Sequence, residues 1–248
     1  MKQFNKNAIA YDAVRGKITY PDKLYHSLVA RAPTNEAALD IGCGNGVSTT
    51  RLKKYFAYVE GIDLGDELIK RARHNYPDII FNISPAETFS VSHPYDLITS
   101  ATSFYWMDRK AVLMNLKSWL KPSGLFCAYK YDFPLVYGPL RDYIEKELVT
   151  RWAKYRDPRL TQYDNTLELM SECSHLYYLQ REVFANIIFL SPEEVALFFL
   201  STSYVTHYIE QEGGELYFNE FMRKVIEIGS TESVSVNFDI HAFTAVNR

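Results

Sequence analysis

The sequence predicts an α/β fold, a doubly wound sheet flanked by helices, with a helical cap added in its later part. Three observations predict it. Short apolar stretches at Ala37 to Ile41, Tyr58 to Asp63, Ile79 to Ile83, Tyr95 to Ser100 and Leu125 to Tyr131 alternate with helix-spaced segments, as in a parallel sheet. A turn with Gly42, Gly44 and Gly46 follows the first of these strands at once. Near the end of the sequence, Ser233 to His241 alternates strictly, with Val234, Val236, Phe238 and Ile240 inward, and reads as a half-exposed strand.

Taken in order, Leu24, Tyr25, Leu28 and Val29 recur at helical spacing, so Pro21 to Ala30 reads as a helix opening at its proline. The segment before it is irregular and aromatic-rich. Ala37 to Ile41 is apolar except for Asp40, as expected of a buried strand. Its glycine turn lets the backbone bend sharply and approach a ligand where a Cβ would collide. The spacing is G-x-G-x-G, with Val47 where the dinucleotide fingerprint would place its third glycine. Ser48 to Tyr55 has helix-compatible spacing. The second strand ends in Asp63, where such folds place a carboxylate about 20 residues past the first glycine; a turn or helix-cap role is the alternative.

Asp66 to Tyr76 follows as a helix with Leu68, Ile69, Ala72 and Tyr76 on one face. Its acids lie first and its bases last, which accounts for His74 through the helix dipole. Asp108 caps a helix from Arg109 to Leu120, whose buried face includes Trp119. Leu140 to about Lys154 and Thr166 to Cys173 read as helices, and Glu182 to Leu190 as a sixth strand. Ser191-Pro192-Glu193-Glu194 is a capping box opening an apolar helix from Val195 to Leu200, and further helices cover Tyr204 to Glu210 and Glu215 to Ile228.

With 248 residues and a net charge of −3, the chain can bury a full core and has no global pull toward polyanions, so nucleic acid is not an expected partner. Cys43, Cys127 and Cys173 are far apart and read as reduced, buried thiols. The first residues lack a signal-peptide core, and no apolar run approaches membrane-spanning length; a cytoplasmic protein without a membrane partner is expected. No serine-hydrolase elbow, P-loop lysine or metal-spaced Cys/His cluster is present, so no metal is expected.

Two stretches, LDIGCGNG from Leu39 to Gly46 and VEGIDLG from Val59 to Gly65, resemble motifs of the class I S-adenosylmethionine-dependent methyltransferases. ATSFYWMD, Ala101 to Asp108, is similar to the A-x-x-F-H-W-x-D stretch of the small-molecule, trans-aconitate methyltransferase-like group (type 11). The resemblance implies a Rossmann-like seven-stranded sheet with an antiparallel last strand, and S-adenosyl-L-methionine as cofactor. It implies cofactor binding by Asp40, Gly42, Gly44, Gly46, Asp63, Leu64, Ala86, Glu87 and Ser100. It also implies that the N-terminal segment with Tyr11, Arg15 and Tyr20-Pro21 folds over the cofactor; an arm simply packed on the core is the alternative. One domain is expected over 1–248: a lid over 1–35, a core over 36–132, a cap with the sixth strand over 134–228 and the last strand over 233–247.

Two departures from the family pattern matter. Pro85 replaces the acid that commonly meets the adenine amino group, and Tyr105 stands where a histidine is common, which removes an obvious base. Acceptor binding is expected from Tyr11, Arg15, Tyr20, Phe104, Tyr105, Trp106, Tyr131 and Tyr204, with Tyr11, Tyr105 and Trp106 positioning the reactants; ordinary core packing is the alternative for any one of these rings. The expected acceptor is a small planar heteroaromatic or unsaturated metabolite. Arg15 keeps a carboxylate O-methyltransferase as the alternative. An NAD(P)-dependent oxidoreductase and a non-catalytic cofactor-binding protein are the rivals from other classes; the absent third glycine and the alternating last strand weigh against the former.

Overall fold

The computed structural model describes Val14 and residues 16–161, 165–230 and 233–248. Tyr11, Arg15 and the lid expected around them lie outside the described residues. In chain order the strands are β1 (Ala37–Ile41), β2 (Tyr58–Asp63), β3 (Ile80–Ile83), β4 (Tyr95–Ala101), β5 (Leu120–Tyr131), β6 (Leu135–Val136), β7 (Leu176–Phe184), β8 (Ile187–Leu190), β9 (Val234–Asn237) and β10 (Ile240–Asn247). They form a seven-stranded sheet of order β3-β2-β1-β4-β5-β10-β7 and a three-stranded sheet of order β6-β9-β8. β1 to β5 pair in parallel, while β10 runs antiparallel to both β5 and β7.

The chain divides into two compact units. The larger, the sheet unit, comprises Tyr20–Asp132, Thr161–Phe184 and Ile240–Arg248. Alternate residues of its strands serve opposite faces. Leu39, Ile41, Ile98, Phe126 and Phe243 pack with Val112, Leu113 and Leu116 of the helix Arg109–Trp119. Ala38, Leu97, Cys127 and Tyr129 pack with Leu24, Tyr25 and Leu28 of the helix Asp22–Arg31 and with Ile69 and Ala72 of the helix Asp66–Asn75. Leu68, expected on that last buried face, is exposed. The helix expected from Ser48 to Tyr55 is only Thr49–Leu52.

The helix Thr166–Ser171, expected in the cap, belongs to the sheet unit, where Leu169 and Met170 join the core beside Leu116. Two expected strands are each divided. Glu182 to Leu190 contains the end of β7 and all of β8, in different sheets; Ser233 to His241 contains β9 and the start of β10, again in different sheets. Short amide and acid side chains cause both breaks by competing for backbone groups. The Asn186 N–H donates to Asp239 Oδ1 at 2.8 Å, the Asp239 N–H to Asn237 Oδ1 at 2.6 Å, and the Phe238 N–H to the Asn186 carbonyl at 2.8 Å. The inward set Val234, Val236, Phe238 and Ile240 is nonetheless buried throughout.

The second, helical unit comprises Phe133–Leu160 and Ala185–Asp239 with the described residues before Tyr20. Ser191 caps its helix Pro192–Leu200: the Ser191 hydroxyl accepts from the Glu194 N–H, and the Glu194 carboxylate accepts from the Ser191 N–H. Trp152 is fully buried, stacked on Phe199 at 5.5 Å and edge-on to Phe221 of the helix Gly214–Gly229 at 5.4 Å. The helix expected up to Lys154 is α-helical only over Arg141–Glu147, then continues as a π-helical turn, Leu148–Trp152, and a 3-10 turn, Ala153–Tyr155.

Candidate functional site

The glycine turn leaves the carboxyl end of β1 and is tied to its neighbour strand. The Gly42 and Cys43 N–H groups both donate to the Ile62 carbonyl, at 2.8 and 2.9 Å. Two glycines do different work there. Gly44, at φ +56°, has nothing within 4 Å of where a Cβ would lie, so its face of the turn is open. Gly46, at φ +87°, would place a Cβ 2.9 Å from the rings of Phe81 and Tyr76, so it is a packing glycine.

Asp63, at the carboxyl end of β2, reaches across to that turn. Its Oδ2 accepts from the Gly44 N–H at 2.9 Å and its Oδ1 from the Gly65 N–H at 2.7 Å. Two backbone donors thus fix both carboxylate oxygens, and each keeps a second lone pair for a ligand. Leu64 follows with 70% of its surface exposed, an apolar side chain beside an acid at a strand end.

Behind the turn lies a buried polar frame. Asp40 is wholly enclosed; its Oδ2 accepts from the Thr49 hydroxyl and its Oδ1 from the Thr99 hydroxyl, both at 2.7 Å. Burial raises its pKa from 3.8 to about 6, against the lowering effect of hydroxyl bonds from Thr49, Thr99 and Ser48. Ser100 is also enclosed, donating to the Ile41 carbonyl at 3.0 Å and bonded to the Ser103 hydroxyl at 2.9 Å. Among the residues expected to meet cofactor, Asp40 and Ser100 therefore brace the turn from within.

Ala86 and Glu87 lie in a 3-10 turn after β3. Ala86 is buried, and Glu87 Oε1 accepts from the Asp108 N–H at 2.8 Å, linking this turn to the next loop. Asp108 caps the helix Arg109–Trp119, as expected, through the Ala111 N–H.

The loop after β4 contains a residue the sequence does not single out. Thr102 has φ +51°, a left-handed backbone strained for a β-branched residue. Its N–H donates to the Tyr129 carbonyl at 2.7 Å, and its hydroxyl lies 3.2 Å from that of Tyr20. Tyr20 in turn packs edge-on to Tyr129 at 5.0 Å, and burial holds both phenols well above the ordinary tyrosine pKa.

The aromatic stretch that follows separates into two roles. Phe104 is fully buried and edge-on to Phe126 at 5.3 Å, so it is a core side chain. Tyr105 and Trp106 form a pair 5.1 Å apart, and Trp106 keeps 42% of its surface exposed. Tyr131, at the carboxyl end of β5, is partly buried against the core. Tyr204 belongs to the helical unit, where its ring meets Phe133 and Trp152, each at 6.1 Å. All three cysteines are buried free thiols. Among the described residues no cluster of His, Cys, Asp or Glu has the arrangement of a metal site, and no helix is long and apolar enough to cross a membrane.

Residues 38–124, from β1 into β5, match the family model of a methyltransferase domain. The matched residues carry the glycine turn, Asp63 and the Ala86-Glu87 turn. The chain is 30% identical over 135 residues to a malonyl-[acyl-carrier protein] O-methyltransferase of Bacillus anthracis, covering 50% of this chain and 49% of that one. It is 31% identical over 115 residues to a trans-aconitate 2-methyltransferase of Azoarcus sp., covering 43% and 46%. The chain thus spans about half the length of the curated relatives it matches. A solved structure from Anaeromyxobacter dehalogenans, named as a candidate type II methyltransferase, shares the fold with a TM-score of 0.75 and 19% identity over 91% of this chain and 96% of that one.

Proposed function

We propose that this protein transfers a methyl group from S-adenosylmethionine to a small, planar heteroaromatic or otherwise unsaturated acceptor. The observation that carries the reading is the pair Gly44 and Asp63: an open glycine bonded to a carboxylate that two N–H groups already hold in place. Asp63 then has lone pairs to accept from vicinal ribose hydroxyls, and Gly44 lets the backbone come close to the ligand. Leu64 offers an apolar cover beside that acid, and the Ala86-Glu87 turn a further wall. Asp40, Gly42, Gly46 and Ser100 hold the turn's shape.

The bound cofactor supplies a sulfonium-activated methyl group. What remains for the protein is to align the acceptor and exclude water, and positioning of that kind contributes roughly 7–11 kcal/mol. Tyr105 and the half-exposed Trp106 suit this work, because a sulfonium is attracted to a ring face and rings displace water. Tyr20 and Tyr131 are the further acceptor-side candidates of the sheet unit. Phe104 is left out of the proposed set on account of its burial. No histidine stands in the Phe104–Trp106 turn, so no dedicated base is assigned there.

A second reading, O-methylation of a carboxylate, is favoured by the names of the relatives at malonyl-[acyl-carrier protein] and trans-aconitate. Both readings meet one experiment. Calorimetric titration with S-adenosylhomocysteine and with NAD(H) should give binding to the former alone. Mass-spectrometric detection of methylated product over a panel of heteroaromatic and carboxylate acceptors then chooses between the readings. Absence of S-adenosylhomocysteine binding to the folded chain overturns both.

A further inference from the structure

Charged and titratable side chains gather on one face of the sheet unit, at the ends of the adjacent strands β5, β10 and β7. His241, near the start of β10, is paired with Lys130 of β5 on one side and with Val183 of β7 on the other. Directly paired residues share a face, as do residues two apart along a strand. Asp132, just past β5, therefore joins Lys130 there, and Arg181 joins Val183. The contacts follow from that register. Lys130 Nζ holds Asp132 Oδ1 at 2.8 Å, Asp132 Oδ2 lies 3.3 Å from His241 Nε2, and Arg181 Nη2 donates to His241 Nδ1 at 3.1 Å. The Arg181 guanidinium also lies over the Phe243 ring, 5.6 Å from its centroid.

The Arg181 contact fixes the protonation of the ring. A guanidinium has donors and no acceptor, so His241 Nδ1 is the bare nitrogen and the ring proton sits on Nε2, towards Asp132. A second proton has only Nδ1 to go to, and there it meets an N–H of Arg181 and a like charge. Asp132 does not take that proton instead. Burial works against its charge, but the Lys130 hydrogen bond and the charges of Lys130, His241 and Arg181 outweigh it and hold its pKa below 3.8. The other described charges nearby are turned away or engaged. Glu182 serves the opposite face and holds Arg31 at 3.0 Å, and Asp239 accepts from the Asn186 N–H and the Asn237 amide. The helix Thr166–Ser171, packed against β7 and β10, brings Leu169 and Met170 to this face and leaves Glu168 exposed.

We propose that His241 is a pH-sensitive latch on β7, the edge strand of the sheet. Neutral, it takes the Arg181 hydrogen bond and ties β7 through β10 to Asp132 and Lys130. Protonated, it keeps Asp132, now as an ion pair, and releases Arg181, so the end of β7 from Arg181 to Phe184 loosens. Histidine is the side chain whose ordinary charge change falls within about pH 5 to 8. An edge strand is paired on one side only, so the loss of one tie is felt there more than inside the sheet. Tyr131 lies between Lys130 and Asp132 and is paired with Ile240, so the same latch steadies the strand end that carries this acceptor-side candidate. The latch stands apart from the methyltransferase reading, since its groups are all in place without a ligand.

The test takes two measurements on the full chain. Long-range proton–nitrogen spectra of histidine-labelled protein, with the His241 signals assigned by their loss in His241→Gln, report the ring. At neutral pH its proton should sit on Nε2 alone. A ring protonated on Nδ1, or already charged at neutral pH, overturns the proposal. Hydrogen exchange reports the strand, written as protection factors so that the pH dependence of exchange itself drops out. Between pH ~8 and ~5 the amides from Arg181 to Phe184 should lose about threefold or more of their protection, while those of β1 and β4 keep theirs. His241→Gln keeps a neutral donor and acceptor and should stay protected at both ends of the range. Arg181→Met has no latch and should be poorly protected at both; it decides the matter if the glutamine variant fails to fold. A step absent from the wild type, or one that persists in either variant, defeats the latch.

Discussion

The Asp63 carboxylate and the Gly44 N–H are joined by a 2.9 Å hydrogen bond, so the acid that ends the second strand also orients the open glycine of the first turn. Asp63→Ala should therefore weaken S-adenosylhomocysteine binding by about 1.5–3 kcal/mol, the range for hydrogen bonds to a charged group. Calorimetry on the folded variant checks it; undiminished affinity contradicts the assignment.

The two glycines of the turn should fail differently. Gly46→Ala drives a Cβ against Phe81 and Tyr76, an overpacking cost of about 1–3 kcal/mol that thermal or urea denaturation will read. Gly44→Ala meets no neighbour, so its stability cost is limited to the positive φ, about 1–2 kcal/mol, while its methyl occupies the proposed ligand cradle. Its larger loss should be in cofactor affinity. Equal effects of the two variants on both measurements would refute this division.

This division shows what sequence can and cannot convey. Spacing alone placed Gly42, Gly44 and Gly46 at a strand end and set Asp63 opposite, because a buried parallel strand and its turn are local patterns. β1 and β2 have the predicted bounds, and the Ser191 capping box closes as its residues require. What spacing missed depends on partners far away in sequence. EVFANIIFL and SVSVNFDIH each read as one strand, yet the exchange of hydrogen bonds among Asn186, Asn237, Phe238 and Asp239 breaks both. Phe104 and Trp106 look alike in a row of aromatics, and only the packing separates a core ring from an exposed one.

Asp40 predicts a pH dependence. Its pKa is higher in the fold, about 6, than the ordinary 3.8, so the folded state holds the proton more tightly between pH ~4 and ~6. Stability contributed by this group is therefore greatest at the acid end of that window, falls as pH rises through it, and is level above it. The gap corresponds to about 3 kcal/mol. Asp40→Asn removes the titration, so wild type should gain up to about 3 kcal/mol relative to the variant between pH 7 and pH 4 in urea unfolding. A difference that stays constant over that range would show that burial does not hold the proton.

Trp106 tests the chemistry. If positioning carries the rate, Trp106→Ala should lower kcat/KM by about tenfold or more while S-adenosylhomocysteine affinity changes little, because the proposal gives its ring to acceptor or methyl. The pH–rate profile should follow the acceptor's own ionisation. An enzyme pKa near neutrality, abolished by replacing a single histidine such as His207, would restore a general base.

The place of β10 bears on how the protein is made. The strand lies between β5 and β7, yet the ribosome delivers it only after Ala185–Asp239 has emerged. Until then the backbone donors and acceptors along β5 from Leu125 to Tyr131, whose final partners are Ile240 to Val246, face no mate. An apolar strand with an open edge is a template for pairing with another chain. The interval between the emergence of β5 and that of β10 is thus when the nascent chain exposes this edge to other chains.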